Sequence, residues 1–433
     1  GRYTGIRMCN QLLENIDRVP DLDPELKKRY IGEAKVLRAY SYYELYTKFG
    51  DIPYTTKVLS IKESMSIART AKATVIANVL ADLDEVINGN YLPTSYDADN
   101  KGRITRWAAM AIKAKIYLFE GNWTQVKNIT STIMTEGGFK LFGSYAGLFE
   151  IANEYNSEVI LDAQYRPTSR EHQMMYVFLP PTLGGYSQLS PLQELVDSYI
   201  MLDGKTIKET GTSFDENHPY ANRDPRLKAT VMYTGNSYTL ADGTEVVINC
   251  EKGEGKDGYG VGSDCSATGY YIKKYWDNTY RATLYSGLNP ILIRYADILL
   301  MNAEALAELG ELDKTAWDAT IKPIRDRAGF TLASALEFPE GASKDKLIEI
   351  VRNERRSELA LEGHRHKDII RWRIADNVLN GWCHGLKTND VVGTDDGYVR
   401  VENRTFNANK HYLWPIPQAE RDLNGNLEQN PNW

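Results

Sequence analysis

The chain reads as a mainly α protein: a scaffold of helical hairpins that carries a large loop-rich lobe with a few short strands. Three observations predict this. Apolar residues recur at helical spacing in long runs in both halves of the sequence. Two of those runs form pairs around a Gly break, with alanines where two helices would touch. Between the pairs lies a long stretch rich in Gly, Pro, Asn and Tyr, too irregular to continue the helices.

The first strong helix is expected over 24–49. There Ile31, Ala34, Leu37, Ala39, Tyr42, Leu45 and Phe49 cover more than one face, so it needs neighbours on two sides. Gly50, Asp51 and Pro53 stop it. A second helix runs from about Thr74 to Ile87, with Val75, Val79, Leu83 and Val86 on one stripe. Trp107 to Glu120, a break at Gly121-Asn122, and Trp123 to Glu136 make a hairpin. Ala108, Ala111 and Ala114 permit close approach there, beside Ile112, Tyr117 and Leu118. The pattern returns as a helix from Ile291 to Leu309, with Ala296, Ala303, Ala305 and Ala307. It ends at Gly310 and is followed after Asp313 by a partner that stops at Gly329. Both pairs are similar to tetratricopeptide hairpins in Ala and Tyr placement and in the turn Gly.

The insertion, 145–289, reads as loops with short strands such as Glu245 to Asn249 and helices such as Leu192 to Ile200. A last helix starts near Ser343 and continues past Leu361. The expected organisation is therefore one domain with a helical scaffold of 1–144 and 290–375, a ligand-binding insertion of 145–289, and a packed tail of 376–433. That tail carries Trp414, Pro415, Pro417 and Trp433 with Asn424, Asn426, Asn430 and Asn432, anchors that disordered tails lack.

Composition excludes several function classes. With 58 acidic against 51 basic residues and a net charge of -7, the 433-residue chain shows no concentrated basic face for nucleic acid or an anionic bilayer. The most apolar run, 291–309, is interrupted by Arg294, Asp297, Glu304 and Glu308, so it does not span a membrane. The sequence starts at Gly1, which leaves a signal peptide or lipid-attachment cysteine to lie outside this chain. Four cysteines form no CxxC. Cys250 and Cys265 share a Gly-rich stretch, where a disulfide and two free thiols both remain open.

No motif declares an enzyme, and no cofactor is expected: GxSxG, the P-loop and GxGxxG after a strand are all missing. His364, His366 and Asp368 lack a second His cluster to complete a metal site. The run Asp97 to Gly102 fails as a calcium loop because Lys101 stands where an oxygen ligand belongs. Glu354 and Glu358 fall in phase with Leu347, Ile350 and Val351, on the face that should be buried. A carboxylate pair for acid and base chemistry is one reading. The preferred one is a structural ion-pair network with Arg352, Arg355, Arg356, Arg365 or backbone N–H groups.

Aromatic surface remains. The chain has 28 Tyr and 8 Trp against 10 Phe, and rings with a polar tip suit half-wet surfaces. The richest stretch, 269–287, places Tyr271, Tyr275, Trp276, Tyr280 and Tyr285 among Asp277, Asn278 and Arg281. A sugar offers an apolar C–H face to stack and hydroxyl edges for planar polar groups, which suits that mixture. Tyr271 and Tyr275 read equally well as core residues of a strand. Trp276, Tyr280 and Tyr285 are therefore the preferred rings, with Asp277, Asn278 and Arg281 as polar contacts. Tyr186 at the Gly184-Gly185 turn, Tyr96 and Trp382 are further loop candidates.

Six segments, in order, carry a family resemblance: IRMCNQLLENID from Ile6, EAKVLRAYSYYELYTKFGDIP from Glu33, Gly102 to Gly121, RYADILLMNAEA from Arg294, Arg352 to Trp372, and the closing WPIPQAERDLNGNLEQNPNW. They span almost the whole chain, and through them it resembles the SusD/RagB family, the nutrient-binding outer-membrane lipoproteins of Bacteroidetes. The resemblance implies a tetratricopeptide-like helical scaffold that faces a SusC-like TonB-dependent transporter. It also implies a loop-rich lobe that holds a glycan at the cell surface without catalysis, and membrane attachment only through a lipid anchor outside this chain. Binding residues vary within the family, so none is carried over. A peptide-binding member of the same family is the near alternative. A glycoside hydrolase using Glu354 and Glu358, or a cytoplasmic helical-repeat scaffold, would be a different class.

Overall fold

The computed structural model describes residues 1–279, 284–388 and 395–433, and the chain divides into two compact units. The first comprises 1–138, 366–379 and 406–433, the second 139–365 and 380–405. The hairpin after Pro290 therefore groups with the loop-rich stretch, not with the first helices.

In the first unit, helices Arg2–Asn15, Pro24–Phe49, Lys72–Asn88, Arg106–Phe119 and Trp123–Glu136 pack each against the next. Asp23 starts the longest by accepting from Leu26 N at 2.8 Å, with Pro24 at the first helical position, where its missing N–H costs nothing. Val36, Ala39, Tyr42 and Tyr46 of this helix are all but sealed from solvent, as the two-sided apolar pattern requires. Ala108, Ala109, Ala111 and Ala114 are fully buried, and their small side chains bring neighbouring backbones together.

The tail completes this unit by capping that long helix. A helix leaves its last carbonyls without partners. Here Lys48 O accepts from Trp414 N at 2.7 Å, and Phe49 O accepts from Asn430 Nδ2 at 3.0 Å and Arg69 Nη2 at 3.1 Å. Asn430 also donates to Trp414 O and accepts from Arg69, so one buried amide joins three segments. Asn430→Leu is expected to destabilise the chain by about 1–3 kcal/mol, the cost of leaving buried polar groups unpaired, read as a lowered denaturation midpoint.

The second unit holds helices Tyr295–Leu309, Lys314–Ala328 and Lys344–Glu358 and, among the described residues, four two-stranded antiparallel sheets. These pair Val159–Asp162 with Ile291–Arg294, Val231–Met232 with Tyr271–Ile272, Ser237–Thr239 with Glu245–Val247, and Gly381–Lys387 with Tyr398–Arg404. The expected helix from Ile291 to Leu309 is thus two elements. Its first residues form a strand, because the backbone of Val159–Asp162 supplies a pairing partner that periodicity cannot show. Only Gln193–Val196 is helical within the expected Leu192 to Ile200.

The last long helix does not run past Leu361. It ends at Glu358, and Leu361 has φ +64°. The Glu358 carbonyl, which a continuing helix would use, accepts instead from Arg294 Nη2 at 2.7 Å, Tyr145 Oη at 3.1 Å and Lys274 Nζ at 3.3 Å. A separate helix begins at Arg365.

The carboxylates on the buried stripe form an ion-pair network, with arginines other than the expected ones. Glu358, fully buried, meets Arg294 at 2.6 Å, Arg226 at 2.8 Å, and Arg327. Glu354 meets Arg325 at 2.7 Å; its other oxygen lies 2.7 Å from Arg226, at an angle that is not that of a hydrogen bond. Glu158 and Glu362 join through Arg294. The neighbours on the same helix point elsewhere: Arg355 pairs with Asp297, Arg356 donates to Glu194 O, and Arg352 pairs with Glu308. The four cysteines are free thiols. Among the described residues, no helix is long and apolar enough to cross a membrane, and no cluster of His, Cys, Asp and Glu is placed to hold a metal ion.

Candidate functional site

The second unit contains a cleft of about 690 Å³ whose wall is built from four sequence-distant tyrosines, Tyr220, Tyr233, Tyr270 and Tyr398. Tyr220 and Tyr233 stack with centroids 4.0 Å apart and planes 17° from parallel. Tyr270 stands edge-on to Tyr220 at 6.5 Å. A polar chain fixes these rings: the Tyr220 and Tyr270 hydroxyls lie 3.1 Å apart, Tyr270 donates to Gln193 Oε1 at 2.6 Å, and Gln193 donates to Asp197 Oδ1 at 2.7 Å. Burial pushes the Tyr270 and Tyr220 hydroxyls above their ordinary range, so both remain neutral hydrogen-bonding groups near neutral pH.

Each wall has a local cause. Tyr220 is held by the 217–223 turn, where Arg223 donates to Pro219 O at 2.8 Å, Tyr199 O at 2.8 Å and Val196 O at 2.6 Å. Arg223 is therefore a brace for the loop backbone. Tyr398 begins the second strand of the Gly381–Lys387/Tyr398–Arg404 hairpin, just after the Asp395 to Gly397 turn, which closes through Tyr398 N to Asp395 O at 2.9 Å. His384 ties that hairpin down by bridging Glu194 at 2.7 Å and Asp395 at 3.2 Å. Gly269 has φ +76°, and a Cβ there would lie 1.7 Å from the Leu386 side chain, so only glycine lets the strand approach the hairpin at the cleft floor.

Polar groups at the rim include Glu216, Asn217, His218 and Lys387. Lys387 pairs with Glu216 at 3.1 Å across exposed side chains, and that pair contributes little to stability. Cys250 also lines the cleft, but burial lifts its thiol to about 12, which leaves it unreactive. Flat rings with amides, carboxylates and an ammonium at the edge can stack an apolar face and hydrogen-bond a rim of hydroxyls.

The residues singled out in the sequence are distributed more widely. Trp276 is half-buried, donates Nε1–H to Thr239 O at 2.8 Å and lies against Tyr238 at 5.0 Å. Asp277 is buried and accepts from Thr279 N, Thr279 Oγ1 and Ser286 Oγ, so it fixes its own turn and offers no free edge. Asn278 is exposed, Tyr285 is 40% exposed, and Tyr186 is 41% exposed, stacked on Tyr176 at 4.3 Å. Tyr176, on which Tyr186 stacks, and Trp276 pack against the same core cluster, which includes Leu284. Trp382 is exposed beneath the Arg400 guanidinium at 5.2 Å. Tyr96 belongs to the first unit, where its hydroxyl donates to Ile104 O at 3.0 Å. Tyr280 and Arg281 lie outside the described residues. Tyr271 and Tyr275 are both buried core residues.

The cleft tyrosines were not among the sequence candidates. A signal for Tyr220 was present in the run NHPYANRDPR, whose Asn, Pro and Asp mark a tight turn displaying a ring. Tyr398 carried no such signal.

Comparison with known proteins gives a consistent picture. A model described as the SusD family matches residues 148–433, and one described as starch-binding associating with outer membrane matches 1–118. SusD-like protein P25 of Formosa agariphila is 27% identical over 395 residues, 87% of this chain and 70% of its own length. The crystal structure of a SusD-like carbohydrate-binding protein from Bacteroides fragilis superposes with a TM-score of 0.88 at 29% identity, covering 99% of this chain and 84% of that one. A second SusD-like protein of the same organism superposes with a TM-score of 0.84 at 28% identity, covering 100% and 85%.

Proposed function

The chain belongs to the SusD family, and from that premise we propose that it is a non-catalytic, cell-surface glycan-binding lipoprotein. It captures an oligosaccharide or polysaccharide and delivers it to a partner SusC-like TonB-dependent transporter in the outer membrane, held there by a lipid anchor. The observation that carries this reading is the four-tyrosine cleft, a cavity of about 690 Å³ in which a hydroxyl chain fixes Tyr220 and Tyr270 and Tyr233 stacks on Tyr220. The name of the Bacteroides fragilis relative as carbohydrate-binding and the outer-membrane description of the N-terminal family model support it. Tyr186, Trp276, Asn278 and Tyr285 provide a second, flatter aromatic surface for a longer chain, while Asp277 keeps that turn in shape.

Hydrolysis by Glu354 and Glu358 is disfavoured on chemical grounds. Burial alone would push the Glu358 carboxyl up, yet the guanidinium groups of Arg327, Arg294 and Arg226 outweigh it and hold the group far below the usual carboxylate range. A carboxylate so held has no proton to donate to a leaving group.

A glycan array probed with the purified chain tests the reading. The expected result is selective retention of one glycan class, with no shortening of that glycan on prolonged incubation. Retention of peptides but no glycan, or release of sugar products, would overturn it. Alanine at Tyr285 and Tyr186 together is expected to weaken long glycans more than short ones.

A further inference from the structure

A second cavity, of about 520 Å³, lies wholly within the first unit, between the start of the Pro24–Phe49 helix and the loop that enters the Arg106–Phe119 helix. Two arginines line it, Arg29 and Arg106. Arg29 is flanked by rings, its Cζ 5.7 Å from both the Tyr30 and Tyr96 centroids, and forms no ion pair among the described residues. Arg106 has one polar side-chain contact among the described residues, Nη1 to Asn90 Oδ1 at a long 3.3 Å. The Nε of each is buried without a hydrogen-bond partner. A guanidinium seeks planar, paired acceptors, and two that line one cavity without an ion pair to a carboxylate can together hold an oxyanion there. Arg103, in the same unit, shows the satisfied arrangement: it grips Glu33 through Nε at 2.8 Å and Nη2 at 2.6 Å.

The two acids that line the cavity do not fill this role. Asp23 accepts from Leu26 N at the helix start, and Glu25 stands exposed at the rim; neither pairs with Arg29 or Arg106. The rest of the wall includes Leu26, Tyr91, Leu92 and Pro93, an apolar face beside the two forks, with Asn90 and Thr94. We propose that this cavity binds the oxyanion of an acidic sugar, a carboxylate or a sulfate ester, with the guanidinium groups of Arg29 and Arg106 on the oxyanion and the sugar ring against Tyr91 and Pro93. The anion chemistry rests on the arginines alone; that a sugar carries it rests on the glycan reading above.

Calorimetric titration of the full chain with glucuronate, glucose 6-sulfate, glucose and inorganic sulfate tests it. At least one charged sugar is expected to bind ten times or more tighter than glucose, and which of the two does so identifies the oxyanion. R29Q and R106Q are each expected to lower that affinity tenfold or more, and E25Q to raise it by removing a competing charge. R29K/R106K keeps the charge without the fork and is expected to recover only part of the binding, so a folded variant remains available if the glutamines unfold. Response to inorganic sulfate alone would overturn the sugar assignment while leaving an anion site. No preference for any of the three anions over glucose overturns the site itself, and neither result bears on retention of neutral glycans by the tyrosine cleft.

Discussion

Glu358→Gln is expected to lower stability by about 3–5 kcal/mol, the loss seen when one member of a buried charge network is removed and its partners stay behind. Glu358 is fully buried and takes donors from Arg226, Arg294 and Arg327. An amide of the same shape can accept through one atom but brings an N–H₂ against guanidinium donors, so three cations would face a deficit of one charge inside the unit. The denaturant midpoint of the variant against the parent measures this. An unchanged midpoint would show the network to be dispensable.

The same network predicts acid sensitivity. Burial alone would raise the Glu362 carboxyl, but Arg294 and Lys274 outweigh it and hold the group at about 2, against an ordinary value of 4.5. Between those values the unfolded chain binds a proton that the folded chain refuses. The stabilisation from Glu362 is therefore complete above about pH 4.5 and is lost as pH falls through 2. Glu362→Gln should flatten the acid limb of a stability profile over that window, beyond its general destabilisation at neutral pH.

Tyr398→Ala is expected to weaken the preferred glycan by about 1–3 kcal/mol, roughly 5- to 150-fold in affinity, the range for loss of one stacked aromatic anchor. Tyr398 is the most informative of the four cleft tyrosines to remove. Tyr220, Tyr233 and Tyr270 support one another by stacking and hydroxyl bonds, so truncating any of them also disturbs the fold. Tyr398 stands on a separate hairpin, and its nearest ring contact is His384, at 6.4 Å. Tyr398→Phe separates the ring from its hydroxyl: retained affinity assigns stacking, lost affinity assigns the hydrogen bond. If alanine leaves the dissociation constant unchanged by calorimetry, the cleft is not the glycan site and the Tyr186, Trp276 and Tyr285 surface becomes the place to look.

Periodicity carried the helices because their burial is a local rule: Val75, Val79, Leu83 and Val86 are all sealed in the core, as their spacing requires. It failed at Ile291–Arg294, where a short apolar run fits a strand and a helix equally and a distant strand decides. Burial of Glu354 and Glu358 was also legible, since the stripe placed them on the inner face. Their partners were not: Arg226 lies 132 positions before Glu358, and nothing local marks it. The candidate site was harder still. Asp277 sits in a polar aromatic run that looks like ligand chemistry, yet its carboxylate closes a turn onto Thr279 and Ser286. The cleft gathers tyrosines from four separate segments, of which the Tyr220 turn and the 269–287 stretch stood out singly, and only the fold gives them a common face.

The capping of the Pro24–Phe49 helix by Trp414 and Asn430 also bears on how the protein assembles. As the chain emerges, residues 139–365 are made after most of the first unit and before the segment that finishes it. The Lys48 and Phe49 carbonyls therefore wait through the synthesis of the greater part of the second unit before Trp414 and Asn430 reach them. Contacts so far apart in sequence form late, because a long loop must close before they return any free energy. Trp414 and Asn430 thus act as a latch on the Pro24–Phe49 helix, closed only after most of the second unit has been made.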